Sequence, residues 1–204
     1  MKTGILVLLI GLWACYGDLA APHDYILSSG YAVSIHGKFS IHSWSEDVQK
    51  VTGELTGSVD DRGIAAIQSI RMTMEVRSIK SDMGSVMDNK TYKALKADAN
   101  PQIAFLVATP FTIGRLKADQ TPGSFNGRLT LAGMTRPVTM LIRTFAAAKE
   151  TLSIEGELDI NMKDFGIKPP SALFGAMKAD PAITIHFKTD FTTTQHEHLY
   201  QSPQ

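Results

Sequence analysis

Leu152-Ser-Ile-Glu-Gly-Glu-Leu-Asp-Ile160 sets apolar or small residues at 152, 154, 156, 158 and 160 against polar ones at 153, 155, 157 and 159. Successive side chains of a β-strand point to opposite faces, so this strict period of two describes a strand with one face in a core and the other in water. The pattern recurs on both sides of it. Val51, Gly53, Leu55, Gly57 and Val59 alternate with Thr52, Glu54, Thr56 and Ser58, while Ile103, Phe105 and Val107 share a face. Phe125, Gly127, Leu129 and Leu131 share another, followed by Val138, Met140 and Ile142; Ile183, Ile185 and Phe187 oppose Thr184, His186 and Lys188. A longer run sets Ile64, Ala66, Ile70, Met72, Met74 and Val76 against Ala65, Ser69, Arg71, Thr73, Glu75 and Arg77. With an early strand around Tyr31 to His36 the count reaches about eight, an all-β protein suited to a small closed barrel or a sandwich.

Turn chemistry joins these strands. Asp60-Asp61-Arg62-Gly63 reads as a hairpin, Thr121-Pro122-Gly123 opens a strand, and Ala132-Gly133 makes a tight link. One helix is expected, from about Asp88 to Ala97, with Asp88 as N-cap and Pro101 barring continuation. Tyr92-Lys-Ala-Leu-Lys-Ala-Asp98 echoes Phe174-Gly-Ala-Met-Lys-Ala-Asp180, which suggests two similar helical turns, each delivering a strand. No linker divides the chain, so a single barrel domain is expected over residues 24–191, followed by a flexible tail over 192–204.

Composition removes several classes of function. Lys and Arg total 20 against 20 Asp and Glu, so the chain lacks the basic excess that nucleic-acid binding draws on. One cysteine, Cys15, rules out an intrachain disulfide framework and a cysteine-rich zinc site. Residues 1–17 read as an export signal, with Lys2 ahead of the apolar run Ile5 to Trp13, a run shorter than the ~20 residues of a spanning helix. Cys15 follows Leu12-Trp13-Ala14, which resembles a bacterial lipobox whose cysteine is acylated; plain cleavage after Gly17 is the alternative. The expectation is an exported protein, periplasmic or held at the outer membrane of a bacterium, with membrane association through a lipidated Cys15 in the first case.

The inward phase of the strands carries almost no charge. It holds Gly53, Gly57, Gly127 and Gly156, where a strand lacks a packing side chain, and Met72, Met74 and Met140, which adapt to irregular apolar surfaces. An eight-stranded barrel either fills itself or holds one small ligand. Small residues beside soft ones favour a dry cavity for an apolar chain; a filled core is the competing reading. The residues expected to line it are Leu55, Met72, Met74, Phe105, Phe125, Gly127, Leu129, Met140, Ile154, Gly156 and Phe187, with Phe165 and Phe174 at the mouth. A leucine at 127 or 156 is expected to expel the ligand and leave the fold largely intact.

Chemical motifs are wanting. There is no G-x-S-x-G elbow, phosphate-binding P-loop or G-x-G-x-x-G fingerprint, and Glu155 and Glu157 alternate outward rather than forming an acid–base dyad. His36 and His42 lack a partner at metal-ligand spacing, and His196-Glu197-His198 falls in the tail, so no metal, cofactor or catalytic residue is assigned.

Four stretches together resemble the YceI-like lipid/polyisoprenoid-binding family: Ser34-Ile-His-Gly-Lys-Phe-Ser-Ile-His-Ser-Trp44, Leu129-Thr-Leu-Ala-Gly-Met-Thr-Arg-Pro-Val138, Asp164-Phe-Gly-Ile-Lys-Pro-Pro170 and Ile183-Thr-Ile-His-Phe187. The stretch Met87 to Phe105 is similar too. The resemblance implies an eight-stranded antiparallel lipocalin-like barrel with one short helical crossover, whose tunnel holds an amphiphilic isoprenoid or fatty chain. It implies no enzymatic activity. A lipid carrier or sequestering protein outside the cytoplasm is therefore the leading expectation, and a ligand-free structural or stress-response interaction protein with a filled barrel the alternative. The oligomeric state is left open.

Overall fold

The computed structural model describes residues 21–39, 42–172 and 177–194, with the backbone alone at 171, 172, 177 and 178. Residues 1–17 with Cys15, Phe174, and the tail histidines 196 and 198 lie outside the described residues.

Before the helix come β1 (His23–Leu27), β2 (Ala32–Lys38), β3 (Ser43–Val48), β4 (Val51–Val59), β5 (Ala65–Glu75) and β6 (Ile79–Ser81). The helix, α1, spans Ser85–Ala94. After it come β7 (Gln102–Val107), β8 (Phe111–Ile113), β9 (Gly123–Leu131), β10 (Met134–Ala148) and β11 (Thr151–Asn161). The last three are β12 (Ser171–Ala172), β13 (Met177–Lys178) and β14 (Ala182–Thr193).

Every pairing is antiparallel, and the order β1-β4-β5-β7-β9-β10-β11-β14 returns to β1, which closes an eight-stranded barrel. The closure has a seam. One part of β14, Phe191 to Thr193, pairs with β1, whereas Thr184 to Lys188 pairs with β2. β2 in turn carries β3 and then β6 away from the ring. At one end the wall is therefore a tight ring of eight; at the other it widens to take in β2, β3, β6 and α1. This seam decides where the free space lies.

Two β-bulges shift the phase of the strands. Thr56 pairs with Ser69 and Gly57 with Ile67, so Gln68 is the extra residue on β5. Ile142 pairs with Gly156 and Thr144 with Glu155, so Arg143 is the extra residue on β10. A bulge lets residues of odd and even phase share a face. This corrects the expected face of β5: Ala65 and Ile67 join Ile70 inside, at 0%, 1% and 3% exposure, while Ile64 is 37% exposed. The bulge on β10 likewise brings both Ile142 and Phe145 into the core.

The tight end is packed solid. Tyr25, Leu55, Ala65, Ile67, Val107, Ile142, Phe145 and Leu152 are each no more than 1% exposed. The Tyr25 hydroxyl donates to the Lys149 carbonyl oxygen at 3.1 Å, satisfying the one polar atom of that ring as it closes the core beneath the β10–β11 turn. In the β4–β5 hairpin Asp60 Oδ1 accepts from the backbone N–H groups of Arg62 and Ile64 at 3.0 and 2.8 Å, and Gly63 takes φ +76°. Ala132 and Gly133, at φ 51° and 83°, turn β9 into β10 with the positive dihedrals that a two-residue hairpin demands.

Three expectations are corrected. The helix begins three residues earlier than Asp88, after Gly84 at φ +82°, and Asp88 serves inside it instead of capping it. The segment around Met177 forms β13, paired with β12, rather than a second helical turn. The last strand runs to Thr193, two residues into the expected tail.

Candidate functional site

Beyond the packed end the inward side chains stop meeting across the barrel and enclose an apolar cavity of about 140 Å³. Ile70, Met72 and Met74 of β5, Ile103 and Phe105 of β7, and Phe125, Leu129 and Leu131 of β9 form one side. Met140 of β10, Ile154, Leu158 and Ile160 of β11, and Ile183, Ile185 and Phe187 of β14 form another. The seam completes the wall with Val33 and Ile35 of β2, Trp44, Glu46 and Val48 of β3, and Met87, Thr91, Ala94 and Leu95 of α1.

A void of about 150 Å³ among Leu, Ile and Phe side chains stays dry and admits a small apolar molecule, while drug-sized ligands occupy about 300–1,000 Å³. A long chain therefore requires the wall to give way. Met72, Met74, Met87, Met140 and Met162 all line the cavity, and unbranched thioethers repack at little cost. Three inward residues of β14, Ile183, Ile185 and Phe187, remain only partly buried.

Polar atoms are few at this wall. Thr189 spends its hydroxyl on the Ile154 carbonyl at 3.1 Å. Trp44 is 6% exposed, lies against Gly37, and has an indole N–H with no hydrogen-bond partner among the described residues. Glu46 is 3% exposed, and its Oε1 accepts from the Thr91 hydroxyl at 2.6 Å. Among the described residues nothing donates to Oε2. Burial is the main reason the Glu46 carboxyl is pushed up to about 7, with Asp88 and Asp82 adding like-charge repulsion against the Thr91 hydrogen bond.

Asp88 holds α1 over this wall. Its Oδ1 accepts from the Ser81 backbone N–H at 2.8 Å and its Oδ2 from Lys80 Nζ at 3.2 Å. The Ser81 N–H, then Lys80, keep its carboxyl below the usual range despite burial. This tie between α1 and β6, together with the Tyr92 hydroxyl 2.9 Å from the Ile79 carbonyl oxygen, helps to place Met87 and Thr91 beside Glu46.

Of the residues expected to line a cavity, Met72, Met74, Phe105, Phe125, Leu129, Met140, Ile154 and Phe187 do line it. Leu55 belongs instead to the packed end, opposite Tyr25 and Ile70. Phe165 is 2% exposed in the 3₁₀ turn Met162–Phe165 and faces an outer cleft with Arg136 and Lys163, not the cavity. The glycines are corrected as well. A Cβ at Gly127 would lie 2.5 Å from the Phe105 ring, and one at Gly156 2.1 Å from the Leu141 carbonyl oxygen and 2.8 Å from the Phe187 ring. Neighbouring rings already occupy the space those glycines leave, so a leucine at either position would break the wall rather than plug a hole.

Sequence reasoning missed the wall built by β3 and α1. A signal was present: Trp44, Glu46 and Val48 alternate with Ser45 and Asp47, which puts a glutamate in an apolar phase, and buried Glu is rare enough to mark a special position. Among the described residues no group of three His, Cys, Asp or Glu is placed to hold a metal.

A closed antiparallel barrel that encloses an apolar internal cavity is suited to binding an apolar ligand. The profile of the YceI-like domain matches residues 28–191, and the chain belongs to that family. Among curated proteins no sequence matches it. Among solved structures, Burkholderia cenocepacia BcnA is 22% identical with a TM-score of 0.58, covering 78% of this chain and 95% of its own. A polyisoprenoid binding domain from Saccharophagus degradans, implicated in plant cell wall breakdown, is 8% identical with a TM-score of 0.57, covering 84% and 99%. A YCEI protein of Campylobacter jejuni is 16% identical with a TM-score of 0.52, covering 74% and 85%. At such identities the likeness is one of fold.

Proposed function

We propose that this protein is a non-enzymatic carrier or sequestering protein for an amphiphile with one isoprenoid-like or fatty chain, held in the barrel cavity. The observation that carries the reading is the cavity between the packed end and α1, walled by aliphatic, aromatic and methionine side chains. Each methylene that enters gains on the order of 0.8 kcal/mol before the cost of ordering the chain is subtracted. Family membership and the polyisoprenoid binding named for the Saccharophagus degradans domain favour the same ligand class.

The apolar run ahead of the barrel supports an exported protein, either acylated at Cys15 or cleaved after Gly17. Growth on labelled fatty acid separates the two, because only the acylated form becomes labelled. For the ligand, the full chain purified without detergent is extracted with organic solvent and the extract examined by mass spectrometry. A single apolar species stoichiometric with protein is expected. A lipid-free extract, with no lipid taken up on add-back, would leave the filled-barrel reading.

A further inference from the structure

One wall of the apolar cavity carries a carboxyl group, one oxygen of which meets no donor among the described residues. Glu46 projects from β3 between Trp44 and Val48, the inward neighbours on its own strand, and all three line the cavity. Opposite it on β2 stands Ile35, and on β6 Ser81. From α1 the Thr91 hydroxyl meets Oε1 at 2.6 Å and Asp88 adds a carboxylate; Asp82, after β6, adds another. A cation of this region, Lys80, is engaged by Asp88 and by the Tyr92 hydroxyl at 3.2 and 2.8 Å. Among the described residues no ion pair neutralises Glu46.

We propose that Glu46, as the neutral acid and braced by Thr91, is the polar anchor of the cavity, donating a hydrogen bond to an uncharged oxygen on the ligand such as an ester, ketone or amide carbonyl. The inference rests on the carrier reading and names the headgroup class it takes. Three carboxyl groups disfavour an anionic headgroup. Burial among Ile35, Trp44, Val48 and Met87 makes protonation cheaper than a desolvated ion pair, which disfavours a cationic one. Affinity for a neutral carbonyl then falls as the pH rises through the range where Glu46 ionises, because the complex holds a proton that the free protein has released.

The test uses the full chain and the methyl ester of cis-parinaric acid, a fluorescent polyene chain with a neutral carbonyl. Wild type binds it roughly tenfold or more tightly at about pH 6 than at about pH 8.5. Glu46→Gln, which keeps a donor and cannot ionise, binds tightly at both, and Glu46→Leu binds several-fold more weakly than Glu46→Gln at both. Calorimetry of wild type near pH 8.5 in buffers of different ionisation enthalpy shows about one proton taken up per ester bound, without reliance on any variant. Binding that is independent of pH, or that tightens at high pH, overturns the anchor and leaves the carrier reading standing. No binding at either pH overturns both.

Discussion

A Cβ at Gly156 would sit 2.1 Å from a backbone oxygen, and one at Gly127 would first meet the movable ring of Phe105. A ring can change rotamer, whereas a carbonyl inside a paired strand moves only with its ladder. Gly156→Ala is therefore expected to cost on the order of 3 kcal/mol and Gly127→Ala about 1–2 kcal/mol, read as shifts in urea unfolding. Equal costs would contradict the close approach at Gly156. Glu46 makes a second residue-level prediction. Its carboxyl is raised in the folded protein from 4.5 to about 7, so the native state binds the extra proton. The stability this confers is fully present below the unfolded value and is lost as the pH rises through about 7. Glu46→Gln should then exceed wild type in stability at about pH 8.5 by at most about 3 kcal/mol, and match it near pH 4. A gap of constant size across that range would mean that Glu46 does not carry the proton.

At the scale of elements, α1 is a piece of the cavity wall held by side-chain ties instead of a strand ladder. Asp88→Ala removes the acceptor of the Ser81 N–H and of Lys80, and is expected to cost about 1–3 kcal/mol. Hydrogen exchange should quicken in α1 while the β11 amides keep their protection; equal loosening of β11 would show that the helix is not a separable part of the wall. What the sequence made legible follows the same division. β11 was readable outright, because all eleven of its residues keep one phase from Thr151 to Asn161. β5 was half readable: Gln68 is an ordinary residue whose extra place in the ladder comes only from pairing with β4, so the faces of Ala65 and Ile64 were exchanged. The start of α1 was missed because a glycine in a left-handed conformation precedes it without offering a cap, while the eye-catching carboxylate, Asp88, is consumed by β6. The glycines misled because period two says which face a residue takes and is silent on which neighbour fills the gap.

For the whole molecule, the seam sets the division of labour. β14 gives one stretch to β1, where the ring closes on a solid core, and another to β2, whose neighbours widen the far end into a cavity. Residues that stabilise and residues that would meet a ligand thus lie at different levels of one barrel. Substitution at the packed end should act on unfolding, and substitution at the wide end on binding. Ile185 is the position to probe: it faces the cavity from β14, is only partly buried, and stands between Leu158 and Ile35 on the flanking strands. The most direct measurement is the affinity of the parinaric ester for Ile185→Trp beside wild type near pH 6, with thermal melts of both. An indole at 185 occupies the space the chain needs, so affinity should fall by roughly tenfold or more, about 1.4 kcal/mol or above, with little loss of melting temperature. Undiminished affinity in a folded Ile185→Trp would contradict the account, since the chain would then be lodged somewhere other than this cavity.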